Sequence, residues 1–158
     1  MIYFVDEDHA RFDAWIQELR VFRNLEVEVF ADADTAFGQL SERDDVQLAI
    51  LDIMLSAGSP TSARFSEART DGYLETGLKL LDDLAEVRGD VFPRRAILLT
   101  NTVNASTLRA AQLCAGRHNV PVWKKSNIDS PLQFGDQIED RLRHVAGFRA
   151  DRAKGLGR

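Results

Sequence analysis

The sequence predicts an α/β fold, a doubly wound parallel sheet of five strands with helices on both faces. Three observations predict it. Short apolar runs alternate five times with stretches of helical period along the 158 residues. Three of the runs, IYFV, LAIL and AILL, are apolar at every position, as strands covered on both faces must be. Hydrophobic residues make up 44% and charged residues 28%, enough apolar material for one buried core and far from the composition of a disordered chain.

The elements follow in order. Ile2, Tyr3, Phe4 and Val5 form the first buried strand. Phe12, Trp15, Ile16 and Leu19 recur at i, i+3, i+4 and i+7, one face of a helix. Val27 to Phe30 reads as a second, less buried strand, after which Asp34 caps a helix carrying Ala36, Phe37 and Leu40. Leu48, Ala49, Ile50 and Leu51 form a third strand at the sheet centre. The next helix comes late, after Gly77, with Leu80, Leu81, Leu84 and Val87 setting its period. Ala96 to Leu99 is the fourth strand. Asn104 caps a helix with Leu108, Ala111 and Ala115 that Gly116 ends. Val120 to Trp123 is the fifth strand, and Pro121 places it at an edge. Ser130, Pro131 and Gln133 open a terminal helix with Phe134, Ile138, Leu142 and Val145 on one face. One domain spans residues 1–150. Residues 151–158 read as a frayed, flexible tail, since DRAKGLGR is basic and Gly-rich.

The same composition excludes several functions. A net charge of -5 argues against a broad basic face for nucleic acid. No apolar stretch approaches the roughly 18–20 residues a membrane span needs. The start has no basic region before its apolar run, so the expected location is cytoplasmic. A single cysteine, Cys114, is expected to rule out both a disulfide framework and any cysteine-based zinc site. Cys114 reads as a small core filler; His9, His118 and His144 read as surface residues without ligand spacing. Trp15 and Trp123 read as packing residues.

In a sheet of this kind ligands bind at the carboxyl ends of the central strands. Asp6, Glu7 and Asp8 follow strand one, Asp52 strand three, Thr100 strand four, and Lys124 and Lys125 strand five. Acids, a hydroxyl and a cation thus converge from four stretches of chain. Asp8 alone is explained as a helix cap and Thr100 alone as an ordinary strand-end hydroxyl. Asp52, after four apolar strand residues, is costly to bury unless something uses it. Clustered carboxylates repel one another by about 4 kcal/mol per close pair at an effective dielectric near 20. A hard divalent cation with oxygen ligands removes that cost, and Mg²⁺ fits best. A lysine and a threonine then suit a transferring phosphoryl group.

With IYFVDED, LAILDIML, AILLTN and VPVWKKS in this order, the chain resembles the response-regulator receiver domains of two-component signalling over nearly its whole length. The resemblance implies a flavodoxin-like receiver fold, strand order 2-1-3-4-5, here with a long insertion at about residues 56–75 between strand three and its helix. It implies that Asp52 is the phosphoacceptor for a histidine kinase or histidine phosphotransfer protein. It implies that Glu7, Asp52 and the backbone carbonyl of Met54 hold Mg²⁺, with Asp6 acting on the metal through water. Thr100 would donate to a phosphoryl oxygen, and a lysine would pair with Asp52. That lysine is Lys125 or Lys124; Lys125 is preferred because Val122 and Trp123 then fill the strand positions before it.

The chain departs from the family pattern in three places. The acid pair is Asp6-Glu7 rather than Asp-Asp, Ser126 stands where proline usually follows the lysine, and Val122 occupies the usual aromatic switch position. The resemblance implies a stand-alone signalling receiver rather than an enzyme, with no output domain after the last helix, which is expected to end near Arg149. Output would pass through an unknown partner protein, through a homodimer, or by phosphorelay. Two alternatives are a pseudo-receiver that binds protein without phosphorylation and a Mg²⁺-dependent phosphohydrolase. The second is disfavoured by Met54, which stands where such enzymes carry a second acid. The insertion, SAGSPTSARFSEARTDGYLE, is expected to be mobile in its first half and to dock through its second. There it would form a lid over the acids, with Arg64 or Arg69 screening the phosphoryl charge, or a partner surface.

Overall fold

The computed structural model describes the backbone of residues 1–155 and the side chains of residues 1–146. Five parallel strands form one sheet: β1 (Ile2–Val5), β2 (Val27–Phe30), β3 (Leu48–Asp52), β4 (Ala96–Thr100) and β5 (Val122–Lys124). Their order is β2-β1-β3-β4-β5, with Val5 opposite Leu51 and Asp52 opposite Leu99. The three runs that are apolar throughout are the three inner strands, and every residue of β1, β3 and β4 is buried. The fifth strand is an edge, as Pro121 required, but it begins after that proline and reaches Lys124. Pro121 contributes only its carbonyl, which accepts a hydrogen bond from the Leu98 amide at 3.0 Å.

Strand alternation divides the core in two. Ile2, Phe4, Ile50, Ile97 and Leu99 face α1 (Asp13–Gln17) and α5 (Pro131–Gly155), packing on Ile16, Leu19, Phe134 and Ile138. Tyr3, Val5, Ala49, Leu51 and Leu98 face α2 (Ala33–Leu40), α3 (Thr76–Arg88) and α4 (Ala105–His118). Trp123 joins the first layer and Val122 the second, so neighbouring β5 residues face opposite sides.

The helices depart from expectation in four places. Phe12 closes a 3₁₀ turn before α1, and a π turn, Glu18–Phe22, follows it, so the i+3/i+4 pattern spans three kinds of helix. Asp32, not Asp34, caps α2, accepting from the Thr35 amide at 2.7 Å. Gly116 does not end α4; Asn119 does, in the left-handed region at φ 54°. The terminal helix continues past the expected end near Arg149 to Gly155. The flexible tail expected at 151–158 falls on residues with no described side chains, and 156–158 lie outside the described residues altogether.

The insertion is tied down at both halves. Its first half is held by Asp34, whose carboxylate accepts from the Ser59 amide and the Ser62 hydroxyl at 2.8–3.2 Å. Gly58, at φ 101°, passes so close to Asp32 that a Cβ there would stand 2.5 Å from its Oδ1. Phe65 of the second half is fully buried in the α2–α3 core, edge-on to Phe37. Arg64 lies over the Phe37 ring at 3.9 Å and pairs with buried Asp83, which Lys79 also contacts. Arg69 donates to the Ala63 carbonyl. Of the two arginines expected to screen a phosphoryl group, Arg64 is thus engaged on the helical layer, where Phe37 and Asp83 offer an aromatic face and a buried charge, and Arg69 on the backbone of the insertion itself. Asp34→Ala should release residues 59–62 at a cost of about 1–2 kcal/mol. Trypsin should then cut after Arg64 faster than in the wild type; unchanged cleavage would show that Asp34 does not anchor the loop.

Candidate functional site

The carboxyl ends of β1, β3 and β4 place three polar side chains in otherwise apolar surroundings. Asp6, Asp52 and Thr100 are 1%, 6% and 1% exposed. Lys125 reaches them from the opposite edge. It lies not in β5 but at the start of the 3₁₀ turn Lys125–Asn127, which turns its side chain inward. Its Nζ is 2.8 Å from Asp6 Oδ2 and 3.1 Å from Asp52 Oδ1, bridging the two carboxylates. The same ammonium stands 4.5 Å above the centre of the Phe12 ring, which shields it on one side. Lys124, the last strand residue, is exposed and pairs with Thr100 only through the backbone ladder.

Each anchor has a local cause. Asp6 Oδ1 accepts from the Asp8 amide at 2.8 Å, an Asx turn that redirects the chain straight after β1. Thr100 Oγ1 accepts from the Thr102 amide at 3.0 Å, doing the same after β4. Behind Asp52 stands Gly77, in the first turn of α3. Its amide donates to the Ile53 carbonyl at 2.9 Å, and a Cβ at this position would lie 1.9 Å from the Asp52 carbonyl oxygen. Gly77 sits under the acceptor backbone, a role the sequence hinted at only through a glycine at a helix start. Gly77→Ala should push α3 off this segment and cost about 1–3 kcal/mol in denaturant unfolding; a variant as stable as the wild type would refute the contact.

Burial pushes the Asp52 carboxyl up to about 7; Lys125 works against this rise and Asp6 adds to it. Two buried carboxylates with one ammonium are a cation short, which is the condition a divalent ion relieves. The donors present therefore fit Mg²⁺: Asp6 and Asp52 at the centre, the half-exposed Met54 beside them, and Glu7 at the rim. Glu7 is exposed, and its carboxylate does not complete a cluster with Asp6 and Asp52 within 4.8 Å among the described residues. Of the expected residues, then, the structure assembles Asp6, Asp52 and Lys125, places Thr100 at the same edge, and leaves Glu7 turned to solvent.

No family model and no curated protein matches this sequence. Solved structures do match. The CheY-like response regulator receiver domain protein from Methanospirillum hungatei JF-1 superposes with a TM-score of 0.65 at 20% identity, over 92% of this chain and 95% of that one. This chain has the receiver-domain fold. A putative response regulator from Chloroflexus aurantiacus J-10-fl shares that fold at TM-score 0.60 and 17% identity, over 90% and 96% of the two chains. NtrX from Brucella abortus matches at TM-score 0.69 and 20% identity over 96% of this chain, which spans 28% of the NtrX chain. In the receiver fold seen here, the bridged acid pair lies at the carboxyl ends of two neighbouring inner strands, β1 and β3.

Proposed function

We propose that this chain is a response-regulator receiver that accepts a phosphoryl group on Asp52 in a Mg²⁺-dependent reaction. One observation carries the reading: Lys125 Nζ bridges buried Asp6 and Asp52, an acceptor and its counter-charge held together at the strand ends. The phosphoryl group would come from a phosphohistidine of a histidine kinase or phosphotransfer protein. An Asp52 oxygen forms the new O–P bond as the P–N bond breaks, and the imidazole nitrogen leaves with the bond's electrons. Lys125 holds Asp52 Oδ1, which leaves the other oxygen as nucleophile, and then neutralises the charge that the phosphoryl group brings. Thr100, one residue beyond the Asp52–Leu99 pair, donates its hydroxyl proton to a phosphoryl oxygen while its Oγ1 goes on accepting from the Thr102 amide. Asp6, Asp52, Glu7 and the Met54 carbonyl would hold Mg²⁺, which when bound offsets charge on the phosphoryl oxygens. The signal would pass to a partner protein, in the cytoplasm. A related fold is known in a phosphorylated form: the response regulator from Burkholderia pseudomallei, at 15% identity and TM-score 0.58, was solved with a phosphorylated aspartic acid and a calcium ion.

The competing reading is a protein-binding module that is never phosphorylated, favoured by the outward position of Glu7. Incubation with a small acyl-phosphate donor and Mg²⁺ separates the two. One phosphoryl group should appear by intact mass, and none in Asp52→Asn or with the metal chelated. Labelling that survives in the variant, or none in the wild type, would overturn the proposal.

A further inference from the structure

Away from the acid edge, between α3 and α4, three side chains with three different ligand atoms meet. Cys114 and His118 stand four residues apart on α4 and so share a face, while Asp82 comes from α3. His118 Nε2 is 2.6 Å and Cys114 Sγ 3.8 Å from Asp82 Oδ1, and all three ligand atoms lie within 4.8 Å of one another. His118, expected at the surface, is mostly buried, with its ring held by Asp82. Among the described residues no other His, Cys, Asp and Glu side chains gather in this way.

Against the expectation from the single cysteine, we propose that Asp82, Cys114 and His118 form a binding site for a borderline-soft divalent ion of the zinc class, one thiolate being completed by an imidazole and a carboxylate. Thiolate, imidazole and carboxylate are the three protein donors that zinc takes, at about 2.0–2.3 Å, so tetrahedral ligand atoms stand roughly 3.3–3.8 Å apart. The Cys114–Asp82 separation already matches, and the His118–Asp82 pair must open by about 0.7–1.2 Å. The sulfur selects against Mg²⁺ and Ca²⁺, which take oxygen. The present occupant of the Asp82 carboxylate is Arg117, whose Nη2 lies 3.0–3.1 Å from its two oxygens. That side chain is 62% exposed, so it can turn to water when an ion takes its place. Arg117 and His118 also border a cavity of about 460 Å³, so solvent reaches the His118 side of the cluster. As the metal–Sγ bond forms, the Cys114 thiol proton passes to solvent, and His118 binds through its Nε2 lone pair, releasing to solvent any proton held there.

Titration of the reduced, untagged chain with Co²⁺ alone tests the site. A thiolate-to-cobalt charge-transfer band should appear at one ion per chain, yield to Zn²⁺, and persist in excess Mg²⁺. Cys114→Ser should remove the band. Asp82→Asn and His118→Ala, each first shown by circular dichroism to be folded, should weaken Co²⁺ affinity about tenfold or more. No charge-transfer band in the wild type, a band that survives Cys114→Ser, or an affinity unmoved by both other substitutions would overturn the proposal.

Discussion

Lys125→Ala should cost the fold about 3–5 kcal/mol above about pH 8, because it leaves two buried carboxylates without their cation. Lys124→Ala should change stability by no more than about 0.5 kcal/mol, since its side chain is exposed. Chemical denaturation without metal reads both. The Lys125 deficit should shrink as pH falls through about 7, where Asp52 takes up a proton instead of keeping its charge. Adding Asp52→Asn to Lys125→Ala should return part of the loss, because one of the two orphaned charges is then gone. Equal effects at positions 124 and 125 would mean that the bridge to Asp6 and Asp52 does not exist in solution.

Asp52→Asn alone should stabilise the metal-free protein above pH 7. The folded carboxyl titrates near 7 instead of 3.8, so between those values the native state holds a proton that the unfolded chain has released. Stability must therefore fall as pH rises through that window, and the cost is complete above about pH 7 and absent below about pH 4. The variant never incurs it. Its advantage at pH 8 should be about 1–4 kcal/mol, the upper value corresponding to the whole shift. Mg²⁺ should narrow the gap by stabilising only the wild type. Identical urea midpoints for the two proteins at pH 8 in a chelator would show that the carboxylate is not held in this environment.

Legibility in the sequence followed how local each cause was. β1, β3 and β4 were readable because strands buried on both faces must be apolar at every position, and nothing distant alters that. The polar residues at their ends were readable for the same reason: Asp52 is conspicuous only because Leu48 to Leu51 precede it. Where two local signals competed, the sequence could not choose. Asp32 and Asp34 flank the same helix start, and the choice went to Asp32 because Asp34 is drawn off by Ser59 and Ser62. What depends on distant partners was not readable. The insertion is anchored by Phe37 and Asp83, residues outside it. His118 and Cys114 become a cluster only when α3 delivers Asp82. The strand positions that Val122 and Trp123 fill favour Lys125 over Lys124, and Lys125 does reach the acids, but the 3₁₀ turn that carries it inward is not announced by the run KKS.

The insertion has a further consequence for the order in which the chain assembles. β3 and β4 must pair in parallel across everything between Asp52 and Ala96, and residues 56–75 about double that span. A doubling costs about 0.6 kcal/mol of closure entropy, paid before the central pairing can form. Phe65 gives nothing back at that stage, since its pocket needs α2 and α3 already docked. The segment therefore slows folding by a factor of about three and repays itself afterward, by holding the finished layer shut against unfolding. A shortened loop should fold faster and unfold faster, which makes this a brake on both rates and not a flap over the acids.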